Sequence, residues 1–211
     1  MKAYAKYCMA AVALLPCIVQ AATVDQLRGQ WAHIQYETAA SAQLPAMQQL
    51  KATADAAVTA EPKNPALLIW DGIITSSVAG LKGGLGALSL AKEARDRLQQ
   101  AEQLQPGALD GSALTSLGAL YYQVPGWPIG FGDKDKARSS LKAALALDPT
   151  GIDANYFYAD FLLTQGDVAG ARTAAEHALA APVRPGREVA DNGRRAEIKT
   201  LLGKIGNRAG G

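Results

Sequence analysis

AKEARDRLQQAEQLQP at residues 91–106 and DKARSSLKAALALDP at residues 135–149 are two copies of one spacing pattern. Each has an alanine, a leucine and an alanine at steps of four and three residues, and each ends in a proline. The residues are Ala94, Leu98, Ala101 and Pro106 in the first copy, and Ala137, Leu141, Ala144 and Pro149 in the second. Such steps place side chains on one stripe of an α-helix, and a proline disfavours helical geometry in the residue before it. The pattern predicts two similar helices, each ended by its proline.

The same spacing occurs twice more along the chain, with the last step one residue shorter in the downstream copy. The copies are Ala171, Ala175, Ala178 and Pro182 downstream and, more weakly, Leu50, Ala54, Ala57 and Pro62 upstream. Alanine on such a stripe lets a neighbouring helix approach closely. Because alanine is abundant and runs of β-branched residues are scarce, we predict an all-α chain.

Each patterned helix is preceded by a segment in which a small residue is followed, three positions later, by a bulky one. Gly118 and Tyr121 form such a pair, as do Ala159 and Leu162. These residues resemble the tetratricopeptide repeat (TPR), in which two antiparallel helices meet at small positions and the unit closes on a proline. The resemblance implies a right-handed superhelix of four helix pairs plus a C-terminal capping helix.

The expected units span about residues 24–62, 65–106, 111–149 and 152–183, followed by the cap at 187–208. The cap is expected to cover the last unit with its apolar residues, which are Val189, Ile198, Leu201, Leu202 and Ile205. Two glycine-rich segments, LKGGLG and VPGWPIGFG, are expected to lengthen the turns inside the second and third units. They occupy residues 81–86 and 124–132.

The N-terminus has the pattern of a secretory signal peptide. Lys2 and Lys6 precede an uncharged apolar stretch at residues 7–19, which is too short to span a bilayer. Cleavage is expected after Ala21, so that residues 1–21 are removed and the protein is periplasmic or secreted. A lipoprotein acylated at Cys17 is the alternative, disfavoured because the residue before a lipidated cysteine is normally small.

The mature chain is formally neutral. Removing Lys2 and Lys6 from the 21 basic residues leaves 19, which equals the number of acidic residues. A general nucleic-acid binder needs a surplus of positive charge, so we expect no nucleic-acid partner. The C-terminal residues 183–211 are basic, which indicates a solvated helix face or, alternatively, a basic docking surface.

No pattern of catalytic or metal-binding residues is present. His33 and His177 are the only histidines, and they fall on distant predicted helices. Both cysteines lie within the predicted signal, so a tetrahedral zinc site and a disulfide are not expected. Gly80, Gly83, Gly84 and Gly86 have no adjacent Gly-Lys-Ser/Thr sequence, and Asp133 and Asp135 are interpreted as helix-capping residues. We expect no enzyme activity and no cofactor.

The segment at residues 124–132 contains Trp127 and Phe131, which an ordinary turn does not require. Large aromatic side chains on a loop either pack the loop onto its own helices or form a recognition surface. Both interpretations stay open at the level of sequence.

The TPR resemblance also implies that the first helix of each pair lines a concave groove. By spacing, this places Ser112, Thr115, Tyr122 and Gln123 on the groove in the third unit, and Asp153, Tyr156, Asp160 and Thr164 in the fourth. Such a wall suits an extended peptide or a small polar ligand, or is solvated with no specific ligand.

The leading hypothesis is therefore an exported scaffold that binds a peptide segment or a partner protein. Its expected contact set is Tyr122, Gln123, Tyr156 and Asp160, with Trp127 as an edge anchor. The predicted signal, the neutral helical body and residues 122–133 are also similar to the T component of TRAP-type uptake systems. That similarity implies the alternative function, an accessory protein that binds a small hydrophobic or carboxylate solute under the Trp127–Phe131 loop. A closed cavity favours this alternative, and an open groove favours the peptide.

Overall fold

The computed structural model describes residues 22–209, and within this range the chain forms nine α-helices and no strand. They are α1 (Val24–Glu37), α2 (Ala40–Ala60), α3 (Pro65–Lys82), α4 (Gly84–Leu104), α5 (Ala108–Gln123), α6 (Lys134–Leu147), α7 (Ile152–Thr164), α8 (Val168–Leu179) and α9 (Glu188–Ala209). The predicted signal peptide at residues 1–21, including Cys17, lies outside the described residues. The all-α, TPR-like arrangement of four helix pairs and a ninth helix is confirmed. Among the described helices, none has the length and hydropathy that crossing a membrane requires.

Glycines in the first helices of two pairs explain why the patterned residues pack so closely. A Cβ atom at Gly118 would lie 2.5 Å from Cγ of Leu141, and one at Gly72 would lie 2.7 Å from Cγ of Leu98. The leucine of each second helix therefore occupies space that only glycine leaves free. The alanines of the pattern are fully buried at this contact, namely Ala94, Ala101, Ala137, Ala144, Ala171, Ala175 and Ala178.

Polar side chains cap several helices. Thr23 and Gln26 form a capping box at the start of α1, and Asn64 accepts from two backbone N–H groups at the start of α3. Asp133 accepts hydrogen bonds from the backbone N–H groups of Asp135 and Lys136, both at 3.0 Å. The capping role predicted for Asp133 is confirmed, and each cap satisfies N–H groups that a helix leaves unpaired.

The second unit differs from the sequence-based expectation. Residues 81–86 do not form a lengthened turn, because α3 continues to Lys82 and α4 begins at Gly84. Gly83 and Gly84 adopt φ angles of 62° and 61°, which glycine tolerates, and they reverse the chain within two residues. The additional residues extend both helices instead. In the third unit, by contrast, residues 124–133 form the expected long loop.

Helix α9 contacts both ends of the array. It packs against α7 and α8, as predicted for a cap, and also against α1. Its apolar stripe is buried through Ile198, Leu201 and Ile205. The ring of Tyr36 on α1 lies so close to Gly193 that it would overlap a Cβ atom there. Helix α9 therefore joins the last unit to the first helix, and this contact was not predicted.

Candidate binding site

A cavity of about 640 Å³ lies on the concave face. All four first helices, α1, α3, α5 and α7, contribute side chains to it, as the sequence-based assignment of the groove required. Among the second helices only α4 reaches it, and the remaining walls come from the loop after α5 and from α9. The cavity is thus bounded by α4, the loop after α5 and α9 as well as by the first helices, so it is a chamber rather than a groove lined by the first helices alone.

Residues that lengthen the second unit form part of the apolar wall. Leu81, at the end of α3, lines the cavity together with Ala87 and Leu88 from the first turns of α4. Trp70 and Ile73 continue this wall along α3. The extra helical turns therefore add to the apolar surface of the cavity.

The loop at residues 124–132 covers the cavity next to this wall. Val124, Pro125 and Ile129 are lining residues. The Cβ position of Gly130 is 3.3 Å from Cδ1 of Leu88, so the loop approaches the extended part of α4. The N–H of Gly132 donates to the Pro125 carbonyl oxygen at 2.9 Å, which closes the loop on itself.

The two aromatic residues of the loop have different environments. Phe131 is half-buried, with its ring edge-on to Tyr121 at 6.0 Å and the Arg95 guanidinium 4.6 Å from its centroid. Trp127 is 89% exposed. Phe131 therefore packs the loop onto the helices, whereas Trp127 is available for recognition. Neither residue lines the cavity, so the loop covers it with aliphatic side chains instead.

Two indole rings form part of the apolar wall. Trp31 on α1 and Trp70 on α3 both line the cavity, with their centroids 5.9 Å apart. The indole N–H of Trp31 donates to the hydroxyl oxygen of Ser77 at 2.9 Å. Because this donor is already paired, the rings offer the cavity mainly their apolar surfaces.

The charged residues that line the cavity are confined to α7, α9 and the residue before α9. They are Asp153, Arg187, Arg194 and Glu197. Arg194 lies at the centre of this charged wall. Its Nε donates to Asp153 at 2.8 Å, and its guanidinium is 4.5 Å from the ring centroid of Tyr156 and 4.8 Å from that of Phe157. It also pairs with Glu197.

The ion pairs of this charged wall determine the protonation states of its side chains. Burial alone would raise the pKa of Asp153, but Arg194 and Arg184 together lower it to about 2. Arg184 donates to Asp153 at 2.9 Å and also pairs with the buried Asp191. Burial alone would lower the pKa of Arg194, but Asp153 and other neighbours raise it. Asp153 is therefore a carboxylate at neutral pH whose charge is already compensated.

Arg187 is the exception in the charged wall. Its Nε is buried without a hydrogen-bond partner, and its guanidinium forms no ion pair with any of the residues at 22–209. Burial, together with the positive charge of Arg184, lowers the pKa of Arg187. A cation that faces a cavity without a carboxylate partner is an unfavourable arrangement unless a ligand or solvent compensates it.

Some of the residues predicted for the groove do line the cavity. These are Gln123 and Asp153, with Ser112 and Thr115 beside them. The four come from α5 and α7, the helices on which the groove was expected.

The remaining predicted residues lie outside the cavity lining and contact other protein groups. The Tyr122 hydroxyl donates to Asp160 at 2.6 Å, and burial and this carboxylate both raise the pKa of Tyr122. Tyr156 packs against Arg194, and the Thr164 hydroxyl donates to the Phe161 carbonyl at 2.6 Å. Trp127 and Phe131 belong to the covering loop, as described above.

Sequence reasoning missed the residues that give the cavity its character, namely Trp31, Trp70 and Arg187. Groove residues were assigned by spacing only in the third and fourth units, so the tryptophans of the first two units were not among them. One feature of the sequence did indicate where the cavity lies. The two segments that depart from a regular repeat fall in adjacent units, and the structure brings them together at Leu88 and Gly130.

The histidines do not contribute to the cavity. His33 is hydrogen-bonded to Glu37 at 2.8 Å on the exposed face of α1, and His177 is exposed at the end of α8. Within residues 22–209, no group of three or more His, Cys, Asp or Glu side chains is arranged to hold a metal ion.

Comparison with known proteins gives one family match and several similar solved structures. Residues 129–187 match the sequence model of the tetratricopeptide repeat family. A crystal structure of MamA is similar over 78% of this chain and 90% of its own, with 17% identity and a TM-score of 0.48. TTC0263, a thermophilic TPR protein of Thermus thermophilus, is similar over 83% of this chain and 99% of its own, with 17% identity and a TM-score of 0.42. PilF of Pseudomonas aeruginosa gives 14% identity over 86% and 93% of the two chains, with a TM-score of 0.36. No curated protein sequence matches the chain.

Proposed function

We propose that this chain is an exported scaffold that acts by binding, because residues 129–187 match the tetratricopeptide repeat family, whose fold generally serves as a scaffold for protein interactions. Export is supported by the basic and apolar pattern of residues 1–21. A purified periplasmic form is expected to begin at Ala22, as determined by intact-protein mass spectrometry. A mature chain that begins at an acylated Cys17 would instead establish a lipoprotein.

The single observation that carries the proposed function is the cavity on the concave face. Its volume of about 640 Å³ lies within the range of about 300–1,000 Å³ that is typical of ligand sites. Its walls are mostly apolar, and its few polar groups come from particular helices. Two departures from a regular repeat, the extended second unit and the loop at residues 124–132, both contribute to these walls. This supports a chamber for binding rather than a by-product of helix stacking.

The first candidate occupant is a short apolar segment of a partner protein. Trp127 and Ile129 support it, because both are exposed large hydrophobic residues, at 89% and 66%, on the loop that covers the cavity. A partner whose segment enters the cavity would bury these side chains as well, and exposed aromatics of this kind are typical of interface hot spots. The action proposed for this complex is binding alone.

The second candidate occupant is a small solute. The observation that favours it is that α9 bounds the cavity on one side and the loop at residues 124–132 bounds it on another. An extended peptide needs a groove that is open at both ends, whereas a small molecule needs only a chamber and a temporary opening.

A photocrosslinking experiment in the native cell compartment distinguishes these candidates. One crosslinking amino acid replaces Ser116, which lines the cavity, and another replaces Arg172, which is exposed on α8 outside it. Protein adducts formed from position 116 but not from position 172 are expected if a partner segment occupies the cavity. Adducts of low mass at position 116 alone would support the solute. Equal adducts from both positions would contradict a concave binding site.

A blocking variant provides the matched control. Ala87→Phe places a large side chain in the apolar wall, and Ala169→Phe places the same side chain on the exposed face of α8. We expect Ala87→Phe to remove the adducts at position 116 and Ala169→Phe to leave them unchanged, with both variants folded by circular dichroism. If both variants keep the adducts, the cavity is not the site.

A further inference from the structure

The cavity has an apolar part, a charged part and uncharged polar residues on α5, among them Ser112, Thr115 and Gln123. The contributions of α3 and α4 contain no charged residue, whereas Asp153, Arg187, Arg194 and Glu197 lie together on the wall formed by α7 and α9. A ligand that satisfies both parts must itself be amphipathic, with an apolar body and one polar end.

The apolar part offers few free hydrogen-bonding groups to a ligand. Ser76 and Ser77 are its hydroxyl residues on α3, and both donate to the carbonyl oxygen of Ile73, at 2.7 Å and 2.9 Å. Ser77 also accepts from the indole of Trp31. A polar body would lose its hydration against this wall without gaining equivalent hydrogen bonds.

The charged part selects the sign of the polar end. Asp153 is paired with Arg184 and Arg194, and Glu197 is paired with Arg194. Among the described residues of this wall, Arg187 alone has a guanidinium without a carboxylate, and its Nε is buried and unpaired. Asp153 and Asp191 act on Arg187 only from beyond ion-pair distance, so a negative group of a ligand would be its first direct partner. A cationic ligand would be repelled by it, and a neutral ligand would leave it without such a partner.

We propose that the cavity binds a small amphipathic carboxylate, whose apolar body lies against Trp31 and Trp70 and whose carboxylate pairs with Arg187. This inference rests on the proposed binding function of the cavity and specifies its small-solute form. The fork of N–H donors on an arginine fits a carboxylate in a bidentate way, which adds directional preference to the charge.

Intrinsic fluorescence provides a direct measurement of binding. The chain has three tryptophans, and two of them, Trp31 and Trp70, line the cavity. The third, Trp127, is exposed and is replaced in the variant Trp127→Phe, so that the remaining signal reports on the cavity alone. In this background, decanoate and decanol are titrated as probes that share an apolar chain and differ in charge.

We expect decanoate to bind at least about tenfold more tightly than decanol at neutral pH, because a charge-assisted hydrogen bond is stronger than a neutral one. Arg187→Gln is expected to abolish this preference by weakening decanoate alone, and Arg187→Lys to keep most of it. Arg172→Gln, an exposed arginine on α8, is the control that leaves both affinities unchanged.

The outcomes separate the inference from the function on which it rests. Equal affinities for the two probes, or a preference that survives Arg187→Gln, would overturn the role of Arg187 while leaving the apolar cavity as a binding site. Binding of neither probe would overturn the amphipathic ligand, and the partner-segment function would then depend on the crosslinking at position 116. Circular dichroism confirms that each variant is folded, so a loss of binding is not a loss of structure.

Discussion

Asp71 on α3 and Asp153 on α7 are carboxylates on the first helices of two helix pairs, and their pKa values shift in opposite directions. Asp71 is fully buried, and burial, with the negative charge of Asp55, raises its pKa to about 6. Asp153, although it is also removed from much of the solvent, has a pKa of about 2 because two arginines donate to it.

The difference arises from the alignment of the cations rather than from burial alone. Arg97 Nε lies 2.9 Å from Asp71 Oδ2, but neither oxygen of Asp71 receives a hydrogen bond in the alignment that the helices allow. The α3–α4 contact brings the two helices close together at Gly72, where a Cβ atom would lie 3.2 Å from the Ala94 carbonyl oxygen. At the α7–α9 wall, by contrast, Arg184 and Arg194 both donate to Asp153. The α3–α4 contact is thus dominated by close packing, and the α7–α9 contact is dominated by ion pairs.

The largest expected effect is the loss of Arg194, compared with the loss of Arg97. Arg194→Met removes the partner of Asp153 and Glu197 and the stacking on two aromatic rings, so we expect the free energy of unfolding to fall by about 3–5 kcal/mol. Arg97→Met is expected to lower it by only about 1 kcal/mol, because Arg97 is one-third exposed and Asp71 can take up a proton. Urea unfolding at pH 7 measures both. Equal losses would remove the proposed distinction between the two regions.

Neutralising the two carboxylates is expected to have effects of opposite sign. At pH 7, Asp153→Asn removes a stabilised charge and lowers the free energy of unfolding by about 2 kcal/mol. Asp71→Asn removes a charge that is less favourable in the folded chain than in water, so we expect a gain of about 1–3 kcal/mol relative to its effect at pH 4.

The pH dependence follows from the two pKa shifts. An unfolded aspartate titrates near about 3.9. The folded pKa of Asp71 lies above this value, so the stability of the parent chain relative to Asp71→Asn falls as the pH rises from about 4 to about 6. The folded pKa of Asp153 lies below it, so the stabilisation is present above about pH 4 and is lost as the pH falls towards about 2. Urea unfolding across this range, compared with each Asn variant, tests both signs.

The fold was largely predictable from the sequence because it depends on local spacing. Ala137 and Leu141 share a helix stripe whatever else the chain does, and Pro149 ends that helix in any context. The third unit's long loop was predictable as well. The second unit was not, since the glycines at 83 and 84 indicate a turn but not how few residues it takes.

The cavity was less predictable because it depends on contacts between distant parts of the chain. The pairing of Tyr122 with Asp160 joins α5 to α7, and it turns two expected ligand contacts into contacts within the protein. The lack of a direct carboxylate partner at Arg187 can be recognised only when the partners of Arg184 and Arg194 are known. The position of α9 against α1 requires Tyr36 and Gly193 to meet, which no repeat pattern encodes.

A smaller effect on stability is expected when the contact between α9 and α1 is disrupted. Gly193→Ala introduces a Cβ where the Tyr36 ring lies, so we expect a loss of about 1–3 kcal/mol. Gly203→Ala, on the same helix with no atom within 4 Å of the new Cβ, is the matched control. Alanine favours a helix over glycine by up to about 1 kcal/mol, so this control is expected to gain stability. Thermal unfolding measures both, and a gain in both variants would show that α9 does not need the contact.

The smallest expected effects concern the two aromatic residues of the loop, of which one is packed and the other is exposed. Phe131→Ala removes a ring that contacts Tyr121 and Arg95, and we expect it to lower the free energy of unfolding by about 1–2 kcal/mol. Trp127→Ala is expected to change it by less than about 0.5 kcal/mol, because the side chain is 89% exposed. The same urea experiment measures both. A large loss with Trp127→Ala, without any loss of crosslinked partner at position 116, would make the indole a structural residue. The loop would then cover the cavity without contributing a recognition surface of its own.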